Sequence, residues 1–191
     1  MPFIRLVDEN DAEDILEIYN PIVMDTAISF ELKPPPPAEI KKRLKKYNHL
    51  PWLVVEDNNK VAGYAYASPF NQREAYQWSV EVSIYIHKGY KGMRYGKKLY
   101  GALLELLKLQ GIINAIALIA LPNPTSIAFH KSFGFHEIGV FEKVGFKFNA
   151  WHDVSWWQKR LVPETDLTGS RIKPIHDVIK KPEAIKCFGQ I

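Results

Sequence analysis

Residues 79–109, SVEVSIYIHKGYKGMRYGKKLYGALLELLKL, decide the fold. Val80, Val82, Ile84 and Ile86 alternate, and they are β-branched, which predicts a strand. Leu99, Ala102, Leu103, Leu106 and Leu107 recur at helical spacing, which predicts a helix. Between the two lies a basic turn punctuated by Gly89, Gly92 and Gly96. A strand, turn and helix of this kind aims free backbone N–H groups and the positive end of the helix dipole at one point, which suits a phosphate. It is not a Walker loop: counting back from Gly96-Lys97, Lys91 stands at the first glycine and Lys98 at the hydroxyl position. Nor do the glycines have the G-x-G-x-x-G spacing of dinucleotide folds. The strand leading into the turn carries one carboxylate, Glu81.

Working outward, 191 residues with 47% hydrophobic content are enough for one filled domain and short for two. One domain over residues 1–162 is expected, with 163–191, which show no clear period, as a partly irregular C-terminal extension. No apolar run approaches a membrane span, and MPFIRLVDEN lacks the regions of a secretion signal, so a cytoplasmic protein is expected. The one cysteine, Cys187, excludes an internal disulfide framework and a thiolate cluster. The histidines have no metal-ligand spacing, and no metal is expected. The net charge of +4 comes with lysine clusters at 41–46, 88–98 and 180–181. The first reads as the solvated face of a helix, and a basic surface suits an anionic cofactor without implying nucleic acid.

Along the chain, Phe3 to Val7 predicts a strand, and Asn10 with Glu13 a capping box opening a helix through Ala12, Ile15, Leu16, Ile18 and Tyr19. Pro21 predicts a break or kink near Asn20, with a short continuation through Met24. Residues 26–32 read as irregular, 34–37 as a polyproline linker, and 38–47 as an amphipathic helix with Ile40 and Leu44 inward. Residues 52–56 and 61–67 predict a hairpin about Asp57-Asn58-Asn59. Beyond the central helix, the nearly all-apolar 112–121 predicts a strand covered on both faces. Pro122-Asn123-Pro124 stops it, a helix over 125–133 ends at Gly134, and two strands follow over 136–144 and 149–161. The order β, α, α, β, β, β, α, β, α, β, β indicates an α/β (α+β) domain: a mixed sheet with helices on both faces.

Over residues 4–161 the chain resembles the GNAT superfamily of N-acetyltransferases, and more closely their phosphinothricin N-acetyltransferase group. The marks are Thr26-Ala27-Ile28-Ser29-Phe30, Pro51-Trp52-Leu53-Val54, Gly63-Tyr64-Ala65-Tyr66-Ala67 with Pro69, and Arg73 with Ala75-Tyr76 ahead of Trp78. Glu81 with Tyr85, Leu121-Pro122-Asn123, His130, Gly134-Phe135 and Asn149-Ala150-Trp151-His152-Asp153-Val154 complete them. The resemblance implies a mostly antiparallel sheet split around acetyl-CoA. It implies the backbone of Ile84, Tyr85 and Ile86 along the pantetheine arm and the pyrophosphate at Lys91-Gly92-Met93-Arg94-Tyr95-Gly96-Lys97. Arg94 stands where such families carry a glycine; a positive φ there would cost about 1 kcal/mol or more, while the guanidinium is itself a phosphate partner.

The resemblance also implies roles for single residues. Glu81 is either the general base for the acceptor amine or a solvent-facing strand residue, and the resemblance favours the base. His130, where many relatives have a tyrosine, is either catalytic at the sulfur or a satisfied core histidine. Asn123 caps a helix, contacts cofactor and substrate, or does both. Phe30 is an aromatic wall for the substrate or core; Arg73 is a cation for an acidic group or a loop residue. The implied reaction is transfer of an acetyl group from acetyl-CoA to the amine of a small amino-acid-like substrate, of the phosphinothricin or methionine sulfoximine/sulfone kind, in a homodimer. The alternative is a module that binds acyl-CoA without turnover.

Overall fold

The computed structural model describes residues 1–166, 169 and 171–191. Its elements are β1 (Phe3–Leu6), α1 (Ala12–Asp25), α2 (Pro37–Lys46), β2 (Trp52–Asp57), β3 (Lys60–Pro69), β4 (Ser79–Ile86), α3 (Tyr95–Gln110), β5 (Asn114–Ala120), α4 (Pro124–Ser132), β6 (His136–Lys147) and β7 (Ala150–Arg160). Two short helices, α5 (Ile175–Val178) and α6 (Pro182–Ile185), and β8 (Gly189–Gln190) end it. The sheet runs β6-β7-β5-β4-β3-β2-β1-β8. Of its seven neighbour pairs only β4 with β5 is parallel. The mixed, mostly antiparallel sheet with helices on both faces is therefore the architecture found.

The strand period sorts side chains onto two faces. On one, Val80, Val82, Ala65, Ala67, Ala115 and Ala117 meet the buried stripe of α3, where Leu99, Leu103, Leu106 and Leu107 are wholly inaccessible. Each such leucine contributes about 2 kcal/mol by leaving water. On the other, α1 and α2 lay Ile15, Tyr19, Val23, Ile40 and Leu44 over Trp52, Val54, Tyr64 and Tyr85. These helices cover only the β1–β4 half of that face. On β5 the side chain of Leu118 is 42% exposed, which corrects the expectation of a strand covered on both sides.

Two further expectations are corrected. The first turn of the chain is capped by Asp8, whose carboxylate accepts from Asn10 N, while Asp11 Oδ2 accepts from Asp8 N at 2.8 Å, instead of an Asn10–Glu13 box. And α1 runs from Ala12 to Asp25 with Pro21 inside it. Both Pro21 and Glu17, whose carbonyl loses its donor, are exposed residues, so the missing bond falls on the outer side of the helix. The buried residues Tyr19 and Val23 on either side hold the helix together.

Residues after 171 are built into the domain core. Ile175, Val178, Ala184 and Cys187 are buried in the main cluster. Gln110, buried at the end of α3, donates from Nε2 to the carbonyls of His49 and Lys173 at 2.8 Å each. β8 then pairs with Phe3 and Ile4 of β1.

Candidate active site

β4 and β5 pair over three residues only, Ser79 with Asn114, Val80 with Ala115 and Glu81 with Ile116. β4 continues to Ile86 and β5 to Ala120, so the strands part immediately after Glu81. A cleft of about 70 Å³ fills the opening, lined among others by Val82, Ser83, Ile84, Tyr85, Asn123 and His130. A larger cavity of about 280 Å³, between Leu6, Leu44, Leu50, Trp52 and Ile175, contains none of the expected site residues.

Glu81 stands at the apex of this split, half-buried, facing the same side as Ser83, Tyr85 and Leu118. Burial raises its carboxyl pKa above the ordinary glutamate value.

At the far end of β4, His87 N donates to the Ala62 carbonyl and the chain turns through a short 3-10 segment. Gly92 (φ 85°) and Arg94 (φ 63°) are both left-handed. Arg94 is the N-cap of α3, and its carbonyl already accepts from the amides of Lys97 and Lys98. Tyr95 and Gly96, ahead of the first intrahelical donor, keep their N–H groups for an anion. A Cβ on Gly96 would meet Ile86 Cγ1 at 3.4 Å and Ile84 Cδ1 at 3.7 Å, ordinary van der Waals contact, so the helix starts against the strand with room for a small side chain. The Tyr95 hydroxyl fixes that start by donating to Asp57 Oδ2 at 2.9 Å. Lys91, Gly92, Met93, Arg94 and Lys97 are exposed around it. These groups fit a pyrophosphate: orphan amides, cations and a helix N-terminus converge beyond a strand whose edge is open.

Asn123 caps α4, its Oδ1 accepting from Ser126 N at 3.1 Å. Four residues after Ser126, His130 is 5% exposed, with Nδ1 2.8 Å from the Ser126 carbonyl. That acceptor places the proton on Nδ1, and Nε2 is left buried without a partner among the described residues. Burial lowers the imidazole pKa, only partly offset by the Ser126 bond, which holds the ring neutral. The ring is packed edge-on to Tyr100 and Phe135, 5.4 and 5.2 Å between centroids.

Phe30 and Arg73 do not line the cleft. Phe30 lies over the β6–β7 hairpin, 6.1 Å from the His152 ring, and Arg73 is on the exposed loop between β3 and β4. That loop is held to the same side by Phe70, which packs edge-on to Tyr76 and to Trp156 of β7. Ile28, Leu118 and Ser126 line the cleft without having been singled out in the sequence. In the sequence Leu118 is one residue of an apolar run and Ile28 one member of the Thr26–Phe30 mark; the pairing of Ile116 with Glu81, which puts Leu118 on the cleft side, is set by the sheet register.

Among the described residues no helix is long and apolar enough to cross a membrane, and no His, Cys, Asp and Glu cluster is placed to hold a metal.

A family model described as an acetyltransferase (GNAT) domain matches residues 4–156. The phosphinothricin N-acetyltransferase of Streptomyces viridochromogenes is 34% identical over 82% of this chain and 86% of its own length. The L-methionine sulfoximine/L-methionine sulfone acetyltransferase of Salmonella typhimurium is 32% identical over 83% and 94%. Among solved structures, a phosphinothricin acetyltransferase from Sinorhizobium meliloti in complex with acetyl-CoA superimposes with a TM-score of 0.82 at 34% identity, covering 89% of this chain and 92% of that one. The parted strands, the helix start beyond them and these matches agree: the chain belongs to the GNAT family of acetyltransferases.

Proposed function

We propose that this protein transfers an acetyl group from acetyl-CoA to the α-amine of a small amino acid with a tetrahedral, oxygen-bearing side-chain end, such as phosphinothricin, methionine sulfoximine or methionine sulfone. The observation that carries the reading is the half-buried Glu81, its pKa raised by burial, at the apex of the split. Relatives named for these substrates supply the substrate class.

Acetyl-CoA, when bound, supplies the activated acyl carbon. The amides of Tyr95 and Gly96, with Lys91, Gly92, Met93, Arg94 and Lys97, hold its pyrophosphate, and the free edge of Ile84, Tyr85 and Ile86 aligns its arm. Glu81 takes one proton from the acceptor's ammonium. The neutral amine then attacks the acyl carbon; a C–N bond forms, the C–S bond breaks, and the electron pair leaves on sulfur, which gains a proton. His130 Nε2, the bare nitrogen of this tautomer, takes the second proton that the amine sheds as the amide forms and passes it to the sulfur, and Asn123 holds the end of β5 against α4 while contacting both ligands. Arg73 pairs with the acceptor's anionic group, and Phe30 walls its side chain. Cys187, buried in the C-terminal segment with its thiol pKa raised by burial, is no nucleophile. No observation favours a module that holds acyl-CoA without turnover.

The protein works as a homodimer in this reading. β6 is an edge strand, and Ile138, Phe141, Val144, Phe146, Phe148 and Trp151 on its hairpin are each more than half exposed, an apolar surface of the kind that marks an interface.

The test is purified protein with acetyl-CoA and a panel of amines, free thiol being measured. Thiol release with phosphinothricin or methionine sulfone that Glu81→Gln abolishes is expected. No release above the Glu81→Gln variant, for any amine, overturns the reading.

A further inference from the structure

Gly145 and Lys147 of β6, two positions with no role in the chemistry above, converge on the segment that carries Phe30. Lys147 is 4% exposed, an unusual place for an ammonium. Its Nζ donates at 2.7 Å to the carbonyl of Val23, in the last turn of α1, and at 2.7 Å to that of Ser29. The helix terminus offers partial negative charge to a cation; desolvation lowers the Lys147 pKa, and the Glu31 carboxylate opposes that shift in part. Ser29 is fixed from its other side as well. Glu31 N donates to Ser29 Oγ at 3.2 Å, Ser29 Oγ lies 2.7 Å from the Tyr19 hydroxyl, and that hydroxyl donates to Glu31 Oε1.

Ser29 is thus a pinned, buried residue between two that project outward, Ile28 at 47% and Phe30 at 37% exposure. Ile28 lines the cleft. Phe30 rests on Gly145 so closely that a Cβ there would lie 2.5 Å from ring atom Cε2 and 2.8 Å from Cε1, and nearer still to Cζ. Such a contact forces a shift. Because the atoms met are the far end of a partly exposed side chain, the ring is what moves.

We infer that Gly145 is a specificity-determining residue of the acceptor site and Lys147 a positioning residue for it: the glycine sets how low the Phe30 wall lies, and the ammonium fixes the segment that carries it. The inference rests on the proposed acetyl transfer with Phe30 as the acceptor's wall, beside the cleft that its neighbour Ile28 lines, and adds the residues that set where that wall stands. A side chain at 145 lifts the ring and alters the space for the acceptor, without touching Glu81 or the cofactor turn.

The experiment is a double-mutant cycle of Gly145→Ala and Phe30→Ala, with L-phosphinothricin, L-methionine sulfone and glycine as acceptors. Gly145→Ala is expected to change the ratio of kcat/KM between the long acceptors and glycine by about tenfold, through acceptor KM. The KM for acetyl-CoA is expected to be unchanged. In the Phe30→Ala background the same substitution is expected to do nothing, since no ring remains to be moved. Equal effects in both backgrounds, or an unchanged ratio in the first, overturn the inference. In parallel, Lys147→Met is expected to speed amide hydrogen exchange at Glu31 while Leu103 in α3 stays protected; unchanged exchange at Glu31 overturns the positioning role. Absence of wild-type turnover with every acceptor counts instead against the acetyltransferase reading, and the exchange measurement is independent of it.

Discussion

Arg94 holds a left-handed backbone, φ 63° and ψ 7°, at the point where the phosphate turn becomes α3. Two substitutions separate what its backbone costs from what its side chain contributes. Arg94→Ala keeps the Cβ, and so the strain, while removing the charge; Arg94→Gly removes both. Left-handed geometry costs a non-glycine residue about 1–2 kcal/mol, and glycine's extra freedom in the unfolded chain takes back about 0.4–1 kcal/mol. The glycine variant should therefore exceed the alanine variant in stability by roughly 0.5–1 kcal/mol, or about 1–4 °C in Tm for a chain of this size. Binding separates the other component. Arg94 is exposed, and an exposed ion pair is worth at most about 1 kcal/mol, so Arg94→Ala should weaken acetyl-CoA by no more than about fivefold, and less at high salt. Differential scanning calorimetry and titration calorimetry at two ionic strengths give both numbers. A glycine variant no more stable than the alanine variant would refute the strained backbone; unchanged binding of the alanine variant at low salt would refute the phosphate contact.

Glu81→Gln should lower turnover by about 100-fold or more, and the rising limb of wild-type kcat/KM should fall above the ordinary glutamate range, as a carboxyl raised by burial requires. Because the folded state holds the Glu81 proton to higher pH than the unfolded one, wild-type stability should decline as pH rises through that window, and Glu81→Gln should remove this slope; identical pH profiles of Tm would contradict the desolvation. His130 has the opposite sign. Its pKa is lowered by burial, so the unfolded chain binds the extra proton and stability should fall as pH drops below about 6.5, less steeply in His130→Gln when urea midpoints are compared. Ile175→Ala, in α5, should cost about 3 kcal/mol by urea denaturation, since its side chain is 2% exposed against the main core; a neutral result would remove α5 from the folded unit.

Much of the fold was legible because local chemistry and burial agree. The 79–109 stretch forms its strand, turn and helix as its two periods require, and Asn58-Asn59, with φ of 51° and 60°, make the tight turn their sequence asks for. Gly134 ends α4 with the paired bonds Gly134 N to Lys131 O and Phe135 N to His130 O. Where prediction failed, something non-local decided. Pro21 broke no helix, because its exposed side left the buried stripe intact. Leu118 looked like core in an apolar run, yet a run of apolar residues does not say whether a helix, a ligand or a second copy covers it. The 171–191 segment has helices of only four residues, too short to leave a period, and its place is set by contacts with α3 and β1. Lys147 falls between the two strands expected over 136–144 and 149–161 and reads as a turn lysine; only the longer β6, returning beside the end of α1, shows what it binds.

The two edges of the sheet are unlike. At one, the two residues of β8 sit against β1, and Gly189, at φ 97°, turns the chain away from strand geometry. At the other, β6 offers twelve residues with little shelter. A sheet open at both ends can recruit neighbours without limit; one that is blunted at one end accepts a single neighbour. If two copies met through β6, each would satisfy the other's open edge and the short β8 would offer no comparable edge for a third, so association would terminate at a closed pair and not grow into a fibre.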